Sequence, residues 1–314
     1  MSAWAAAQKP FFFLIDFEMQ KPVLCPLEEA RDLGFLFDIK GFRNFDPATR
    51  KAKPIALSIK PVAKETYTHA YQRVIDEIYQ GNTFLLNLTF PSAIETPLDL
   101  EDVFRWAKAP YKLYHQGDFV VYSPECFVKI KNNHIYSYPM KGTIDARLPD
   151  AQNALTTDPK EINEHNTIVD LIRNDLSKVA KEVQVKRFRY MDKIKTQNNE
   201  IYHTSSEIRG KLPPDWKSQL PDLLLSMLPA GSICGAPKAK TVSIIQEVEQ
   251  DPRGFYTGIF GYFDGVELDS AVNIRFIEEK NHQLLYRSGG GITFLSDLES
   301  EYNELIEKIY VPVV

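Results

Sequence analysis

Two pairs of glutamates are the residues of this chain best suited to hold a metal ion. Glu161 and Glu164 are three positions apart, and Glu301 and Glu304 repeat that spacing later in the sequence. On a helix, side chains three apart project from neighbouring points of one face. Most such pairs belong to a solvated helix face, so the spacing alone is a weak indication of function.

The apolar face of the first helix makes its pair more informative. At about 100° per residue, Glu161 falls inside the arc of apolar side chains and Glu164 falls near its edge. The arc consists of Ile168, Val169, Ile172, Leu176 and Val179, and the polar side consists of Arg173, Asn174, Ser177 and Lys178. A carboxylate that points toward the interior needs a compensating partner. A hard divalent cation is a natural partner.

The second pair allows two interpretations. Glu304 points well away from the neighbouring apolar stripe, which is formed by Leu298, Tyr302, Leu305 and Ile309. Ser296 and Glu299 have the spacing of a capping box, so acidic residues near this helix start also have an ordinary structural use.

A loop of small residues begins the segment 228–261. Gly231, Gly235 and two prolines shape its backbone, and few side chains obstruct a molecule that approaches it. Val242, Ile245 and Val248 follow at helical spacing, and the chain then enters aromatic strands. By composition alone, a structural connection between helix and strand is the simpler interpretation.

Two further features could bind an anion. Arg275 lies on an apolar strand, where it could equally be a surface or salt-bridged arginine. The run Ser288, Gly289, Gly290 and Gly291 could be a flexible turn, or it could direct backbone N–H groups at an anion.

The elements that must position these residues form consecutive groups of strands and helices. We predict strands at 11–17, 33–39 and 83–92, and aromatic strands between 111 and 138. Helices are predicted at 66–80, 158–180 and 297–310, with one further helix after residue 201. This order favours an α+β fold with antiparallel sheets over strict βαβ alternation.

Composition limits the function classes. The 314 residues carry a net charge of −5 without a basic cluster, which argues against a nucleic-acid partner. Cys25, Cys126 and Cys234 lack CxxC spacing, so we expect reduced thiols, neither a disulfide framework nor a zinc site. The apolar run near the N-terminus is too short for a membrane span and lacks the features of a secretion signal. We therefore expect a cytoplasmic protein.

Several ordered motifs resemble those of the chorismate-utilising enzymes, a family that includes anthranilate, aminodeoxychorismate, isochorismate and salicylate synthases. The resemblance covers about residues 65–310 and rests on LPAGSICGAPK…RGFYTG, EINEHN…VDLIRND, YHTSSEIRG and SDLESEYNE. It implies two packed, mainly antiparallel sheets flanked by helices. We expect a short N-terminal strand region at 1–64 and a chorismate-binding catalytic domain at 65–314 that forms one compact unit.

The resemblance also implies roles for individual residues. The four glutamates would hold Mg²⁺, some of them through water. The enolpyruvyl carboxylate would contact Arg275, Tyr256 and the glycines 289–291, with Ser232 of the small-residue loop also in the substrate site. His203 matches a histidine near the ring hydroxyl, although a lone histidine is more often structural.

The motif Pro139-Met140-Lys141-Gly142-Thr143 distinguishes members of the family. Aminodeoxychorismate synthases carry lysine at the position of Lys141, and anthranilate synthases carry alanine. The resemblance implies that Lys141 attacks ring carbon 2 while Glu125 protonates the departing 4-hydroxyl. Taken alone, Lys141 and Glu125 would be ordinary turn residues.

Two positions depart from the family pattern. Leu85 occupies a position that is usually glutamine, and it cannot act as the base that hydration chemistry requires. Cys234 replaces a threonine or serine.

The sequence thus predicts conversion of chorismate and ammonia to 4-amino-4-deoxychorismate in p-aminobenzoate and folate synthesis. Since the sequence shows no glutaminase-like segment, we expect a separate glutamine amidotransferase subunit. The alternatives are anthranilate synthase component I and a non-catalytic chorismate-binding regulatory subunit.

Overall fold

The protein is described by a computed structural model that covers residues 1–47, 56–157, 159–195 and 200–312. Within these ranges the side chains of residues 141–145, 154, 159–161, 192–195, 200 and 201 are not described. Lys141 and Glu161 therefore have a described backbone, and their side chains lie outside the described part. None of the helices in the described ranges has both the length and the apolar character to cross a membrane.

Strands outnumber helices in the described chain. In chain order they are β1 Phe11–Ile15, β2 Val23–Pro26, β3 Phe35–Ile39, β4 Phe42–Arg43, β5 Ser58–Lys60, β6 Leu85–Glu95, β7 Tyr111–His115, β8 Phe119–Ser123, β9 Cys126–Lys131, β10 His134–Ser137, β11 Met140–Asp145, β12 Lys181–Lys195, β13 Glu200–Lys211, β14 Gly235–Ala236, β15 Ile259–Phe263, β16 Leu268–Val272, β17 Phe276–Lys280 and β18 Gln283–Ile292.

These strands form two sheets whose described pairings are all antiparallel. The first sheet has the order β11-β13-β10-β9-β16-β15-β1-β2, with β12 also paired to β13. The second has the order β14-β6-β18-β17-β8-β7-β3-β4, with β5 also paired to β6. The sheets pack through aromatic side chains: the ring of Phe12 in the first stacks on Phe37 in the second, with centroids 5.5 Å apart. The predicted α+β fold with two packed antiparallel sheets is confirmed.

Helices flank the sheets. They are α1 Ser2–Ala6, α2 Lys64–Tyr79, α3 Leu100–Trp106, α4 Ala151–Thr157, α5 Pro159–Ser177, α6 Leu220–Met227, α7 Lys238–Glu249 and α8 Leu298–Glu307. The predicted helices correspond to α2, α5, α7 and α8. The expectation of only two helices after residue 201 is wrong, because α6 is a third; its apolar residues pack into the core, with Leu220 and Leu224 fully buried.

The apolar arc predicted for α5 is the side that faces the core. Ile168, Val169 and Leu176 are buried, whereas the predicted polar side is exposed. Helical periodicity alone predicted which side of α5 is buried, because only one face of a helix on a sheet can avoid water.

The capping box predicted at Ser296 and Glu299 is wrong. The N-cap of α8 is Asp297, whose carboxylate accepts a hydrogen bond from the backbone N–H of Ser300 at 3.0 Å. Ser296 instead donates from its hydroxyl to Oε1 of Glu301 at 2.7 Å. The helix is therefore capped by an aspartate, and the serine is engaged with one of the predicted metal-binding carboxylates.

Candidate active site

A cavity of about 760 Å³ brings most of the predicted site residues together. It lies where β6 and β18 of the second sheet meet the small-residue loop, α5 and the end of α8. Of the predicted residues, those that line it are Glu125, Glu164, Ser232, Tyr256, Arg275, Gly289 and Gly291. Six separate segments of sequence thus contribute predicted residues to one concave surface, as is typical of a ligand site.

Glu125 and Ser232 are directly linked in this cavity. Glu125 follows β8, and its carboxylate oxygen Oε1 accepts a hydrogen bond from the hydroxyl of Ser232. The hydroxyl thereby holds one oxygen of the carboxyl group and orients it in the cavity. The pairing is consistent with an acid–base role for Glu125.

The loop that carries Ser232 is held by a buried arginine. Arg253 is 1% exposed and donates to both carboxylate oxygens of Glu249, at 2.6 and 2.8 Å. It also donates to the backbone carbonyls of Ile233 at 2.9 Å and Asn87 at 2.6 Å. Since the guanidinium group can donate five hydrogen bonds in a fixed plane, it ties the loop to β6.

A lysine anchors the two sides of the same loop. Lys238 donates to Oδ1 of Asp175 at 2.8 Å and to the carbonyl of Met227 at 2.7 Å. Burial lowers the pKa of the Lys238 ammonium, and the charge of Asp175 opposes this change. The loop is therefore attached to α5 as well as to β6.

Arg275 is one of three positively charged residues that line the described cavity, together with Arg287 and Lys308. Its guanidinium donates to the carbonyl of Lys308 at 2.6 Å and stacks over the ring of Tyr310 at 4.5 Å. Its backbone φ is +56°, a conformation that is strained for a non-glycine residue and is frequent at ligand sites. Tyr256 also lines the cavity, with its side chain almost fully buried. Burial raises the pKa of its phenol well above the ordinary value, so Tyr256 is a neutral hydrogen-bond donor.

Gly290, the middle glycine of the run, faces the carboxylates of Glu301 and Glu304 on α8, which are not among the residues that line the cavity. A Cβ atom on Gly290 would lie 3.2 Å from Oε2 of Glu301 and 3.6 Å from Oε1 of Glu304. Glu301 is 3% exposed, which is unusual for a glutamate, and its other oxygen is held by Ser296. Two carboxylates of the predicted metal set therefore converge at one point against the backbone of β18.

The donor set fits an oxygen-ligated cation such as Mg²⁺. Glu164 lines the cavity, and Glu161 lies one turn earlier on α5 with its side chain outside the described part. Among the side chains that are described, no three His, Cys, Asp or Glu lie close enough together to hold a metal ion. The magnesium site stays a prediction, supported by the convergence of Glu301 and Glu304.

Lys141 and His203 lie on neighbouring strands of the first sheet. Lys141 in β11 is opposite Thr204 in β13, and His203 is opposite Thr143. Pro139 and Met140, which precede Lys141, line the cavity. His203 is buried and is not among the residues that line the cavity. The structure therefore places the backbone of Lys141 at the edge of the cavity and His203 just behind that edge.

Lys308 is a cavity residue that the sequence analysis missed. Its ammonium donates to the carbonyl of Gly289 at 2.8 Å and pairs with Glu304 at 2.6 Å. The sequence spacing predicts the ion pair with Glu304, because Lys308 is four positions after Glu304 and residues at that spacing meet on a helix. It was overlooked because a Glu–Lys pair at this spacing usually lies in solvent.

The two unusual residues of the motifs also contact the site. Leu85 lines the cavity and lies 3.1 Å from the Cβ position of Gly291, so the wall is apolar at this point. Cys234 is fully buried in the cavity wall, and burial raises the pKa of its thiol to about 11. All three cysteines are free and buried, as expected for reduced thiols.

Comparison with known proteins identifies the family. The family model described as chorismate binding enzyme matches residues 28–313. An uncharacterized PabA-like protein of Pasteurella multocida is 56% identical, over 98% of this chain and 95% of that protein. Aminodeoxychorismate synthase component 1 of Salmonella typhimurium is 32% identical over 77% of this chain, and an anthranilate synthase component 1 of Haloarcula marismortui is 35% identical over 78%. The matched region spans only 56% and 52% of those two proteins.

Solved structures agree with this assignment. Anthranilate synthase component I from Streptococcus pneumoniae superposes with a TM-score of 0.65 at 27% identity, covering 82% of this chain and 59% of that one. The menaquinone-specific isochorismate synthase from Escherichia coli shares the fold, with a TM-score of 0.74 at 16% identity over 98% of this chain and 78% of that one. The chain belongs to the chorismate-binding enzyme family, and the cavity that its motifs surround is the candidate active site of a chorismate-utilising enzyme.

Proposed function

We propose that this protein catalyses the amination of chorismate by ammonia to 4-amino-4-deoxychorismate, the reaction of aminodeoxychorismate synthase component I. The observation that carries the proposal is Lys141 in the segment Pro139-Met140-Lys141-Gly142-Thr143, whose first residues line the cavity. A primary amine at this position provides a nucleophile that an alanine could not provide. The Salmonella relative with this named activity supports the same assignment.

We assign separate steps of the reaction to Lys141 and Glu125. Lys141 would attack ring carbon 2 while the bond between carbon 4 and its hydroxyl breaks, and Glu125 would donate the proton with which that hydroxyl leaves as water. Ammonia would then add at carbon 4 as the lysine nitrogen departs from carbon 2, so the net change is chorismate plus ammonia to product plus water. Lys141 must be unprotonated to attack, and desolvation or a nearby cation would favour that state.

The remaining groups would hold the substrate. Arg275, Tyr256 and the N–H groups of the glycines 289–291 suit the enolpyruvyl carboxylate. Mg²⁺, if held by Glu301 and Glu304 with Glu161 and Glu164, would neutralise the ring carboxylate. The apolar side chain of Leu85 supplies no base for activating water, in agreement with amination rather than hydration.

Anthranilate synthase is the second candidate, because the Haloarcula relative with that name is as similar as the aminodeoxychorismate synthases. The two reactions differ in their products. Purified protein is incubated with chorismate, Mg²⁺ and ammonium, and the products are separated by chromatography. We expect a product that retains its enolpyruvyl group and yields p-aminobenzoate only when a separate lyase is added. Release of anthranilate and pyruvate would contradict the proposal, and no turnover would favour a chorismate-binding regulatory subunit.

Ammonia would be supplied by a separate glutamine amidotransferase subunit. The isolated chain should use ammonium but not glutamine, and addition of an amidotransferase subunit should confer the use of glutamine. Product formed from glutamine by the chain alone would show that it contains a second active site.

A further inference from the structure

The hydroxyl of Tyr67 is buried without a hydrogen-bond partner among the residues that the structure describes. The whole Tyr67 residue is 0% exposed. Buried hydroxyl groups in native proteins nearly always have a partner, because a buried donor that has lost its water is costly. The position of this hydroxyl therefore calls for a partner that the described polypeptide does not supply.

Tyr67 lies on the face of α2 that packs against the start of α8. Its ring centroid is 5.3 Å from that of Tyr302. Tyr71, four positions later on the same face, donates from its hydroxyl to the carbonyl of Ser296 at 2.6 Å. Ser296 in turn holds Oε1 of Glu301. The face of α2 that carries Tyr67 and Tyr71 is thus directed at the segment that presents Glu301 to the glycine run.

The electrostatic environment of Tyr67 agrees with this placement. Burial raises the pKa of its phenol well above the ordinary value, and the negative charges of Glu301 and Glu304 raise it further. The phenol is therefore neutral across the physiological range and acts as a hydrogen-bond donor. The two carboxylates that act on this phenol converge near Gly290 through Oε2 of Glu301 and Oε1 of Glu304.

We propose that Tyr67 is a positioning residue of the cation site, whose hydroxyl donates a hydrogen bond to water in the hydration shell of a divalent cation held by Glu301 and Glu304. The inference rests on the magnesium part of the proposed function. Mg²⁺ keeps several of its waters when proteins bind it. Groups that hold such outer ligands change metal affinity about 10- to 100-fold when they are removed.

Tyr67→Phe tests this role, because it removes only the oxygen. Tyr302→Phe is the matched control, since its hydroxyl donates to the carbonyl of Val62 at 2.9 Å on the same helix interface. Binding of Mn²⁺, as a probe for Mg²⁺, is measured by electron paramagnetic resonance on the full chain without chorismate. We expect binding to weaken at least about 10-fold in Tyr67→Phe and to stay unchanged in Tyr302→Phe.

Thermal unfolding in metal-free buffer separates positioning from packing. Because the Tyr67 hydroxyl makes no hydrogen bond within the described protein, its removal should leave the melting temperature of the metal-free protein unchanged or raise it. A lower melting temperature, or unchanged Mn²⁺ affinity, would overturn the inference.

The assay also separates this inference from the proposed function. If the wild-type protein binds Mn²⁺ and Tyr67→Phe binds it equally well, the role of Tyr67 is refuted and the amination proposal stands. Weakened binding in Tyr67→Phe together with anthranilate as the product would refute amination and retain Tyr67. A wild-type protein that binds no Mn²⁺ would refute both the cation site and the role of Tyr67.

Discussion

The hydroxyl of Ser232 donates a hydrogen bond to Oε1 of Glu125, although the two residues are 107 positions apart in the sequence. The bond joins the loop before α7 to the end of β8, and Arg253 fixes that loop through the carbonyl of Ile233. The orientation of the proposed general acid therefore depends on a buried guanidinium group that does not line the cavity. Substitutions at each of these three residues give separable predictions.

Ser232→Ala should lower kcat by about 10-fold, and Glu125→Gln should lower it by about 10² to 10⁴, the usual contribution of a general acid. The serine orients the acid, whereas glutamine has no proton of suitable acidity to transfer. The double variant should be no slower than Glu125→Gln, because the two residues act through one hydrogen bond. Steady-state kinetics measure this, with the exposed Ser226→Ala as the control. Strictly multiplicative effects would indicate that the two residues act independently.

Lys141→Ala should lower formation of 4-amino-4-deoxychorismate by orders of magnitude, because ammonia would lack the covalent intermediate. Lys141→Arg should fail as well, since guanidinium stays protonated and cannot attack carbon. Stability should change little. Product chromatography and thermal unfolding check both points, with Lys211→Ala at an exposed position of β13 as the control. Near-normal turnover by Lys141→Ala would refute the mechanism and leave the family membership intact.

Glu304→Gln, or removal of metal with EDTA, should abolish turnover without unfolding the protein. Glu304 is half-exposed, and its ion pair with Lys308 contributes little to stability because solvent screens it. Activity assays and circular dichroism test this, with Glu307→Gln as a matched control on the exposed side of α8. Full activity in metal-free buffer would contradict the magnesium prediction.

Arg253→Ala should destabilise the protein by roughly 3–5 kcal/mol, because it leaves the buried carboxylate of Glu249 without its partner. Among the described residues, Glu249 would then keep the hydrogen bonds from the N–H and hydroxyl of Thr89. Urea denaturation measures the free energy of unfolding. Arg173→Ala removes an exposed arginine that pairs with the exposed Asp170, and it should change stability little. Equal stability of the two variants would show that the buried pair has no special role.

The stability of the protein should decrease between about pH 9 and pH 11, partly because of Cys234. Burial raises the pKa of its thiol from 9.0 to about 11, so the folded protein retains a proton that the unfolded chain loses. The contribution is complete below pH 9 and is lost as the pH rises through 11. Cys234→Ser should remove roughly 2 kcal/mol of this decrease. Urea denaturation at several pH values measures it, and identical pH profiles would contradict the prediction.

The sequence by itself determined what depends on local periodicity and on ordered motifs. The apolar arc of α5 predicted that Ile168, Val169 and Leu176 would be buried, because a helix on a sheet has one face that can avoid water. Consecutive groups of strands, without strict βαβ alternation, predicted the α+β class, and the motifs predicted the family. For Lys141 and Glu161 the sequence is the whole basis of the assignment, since their side chains lie outside the described part.

Only the tertiary structure decided which of these residues meet. The contact between Ser232 and Glu125, and that between Lys308 and Gly289, depend on how β18, α8 and the loop pack, which no local pattern encodes. Tertiary packing also explains why the predicted capping box is wrong. The hydroxyl of Ser296 donates to Glu301, and the carboxylate of Asp297 caps the helix instead. Tyr67 would have been assigned to the core by its spacing on α2. Its unsatisfied hydroxyl becomes visible only when α2 is packed beside the carboxylates of α8, since the cost of burying a donor depends on every neighbour that surrounds it.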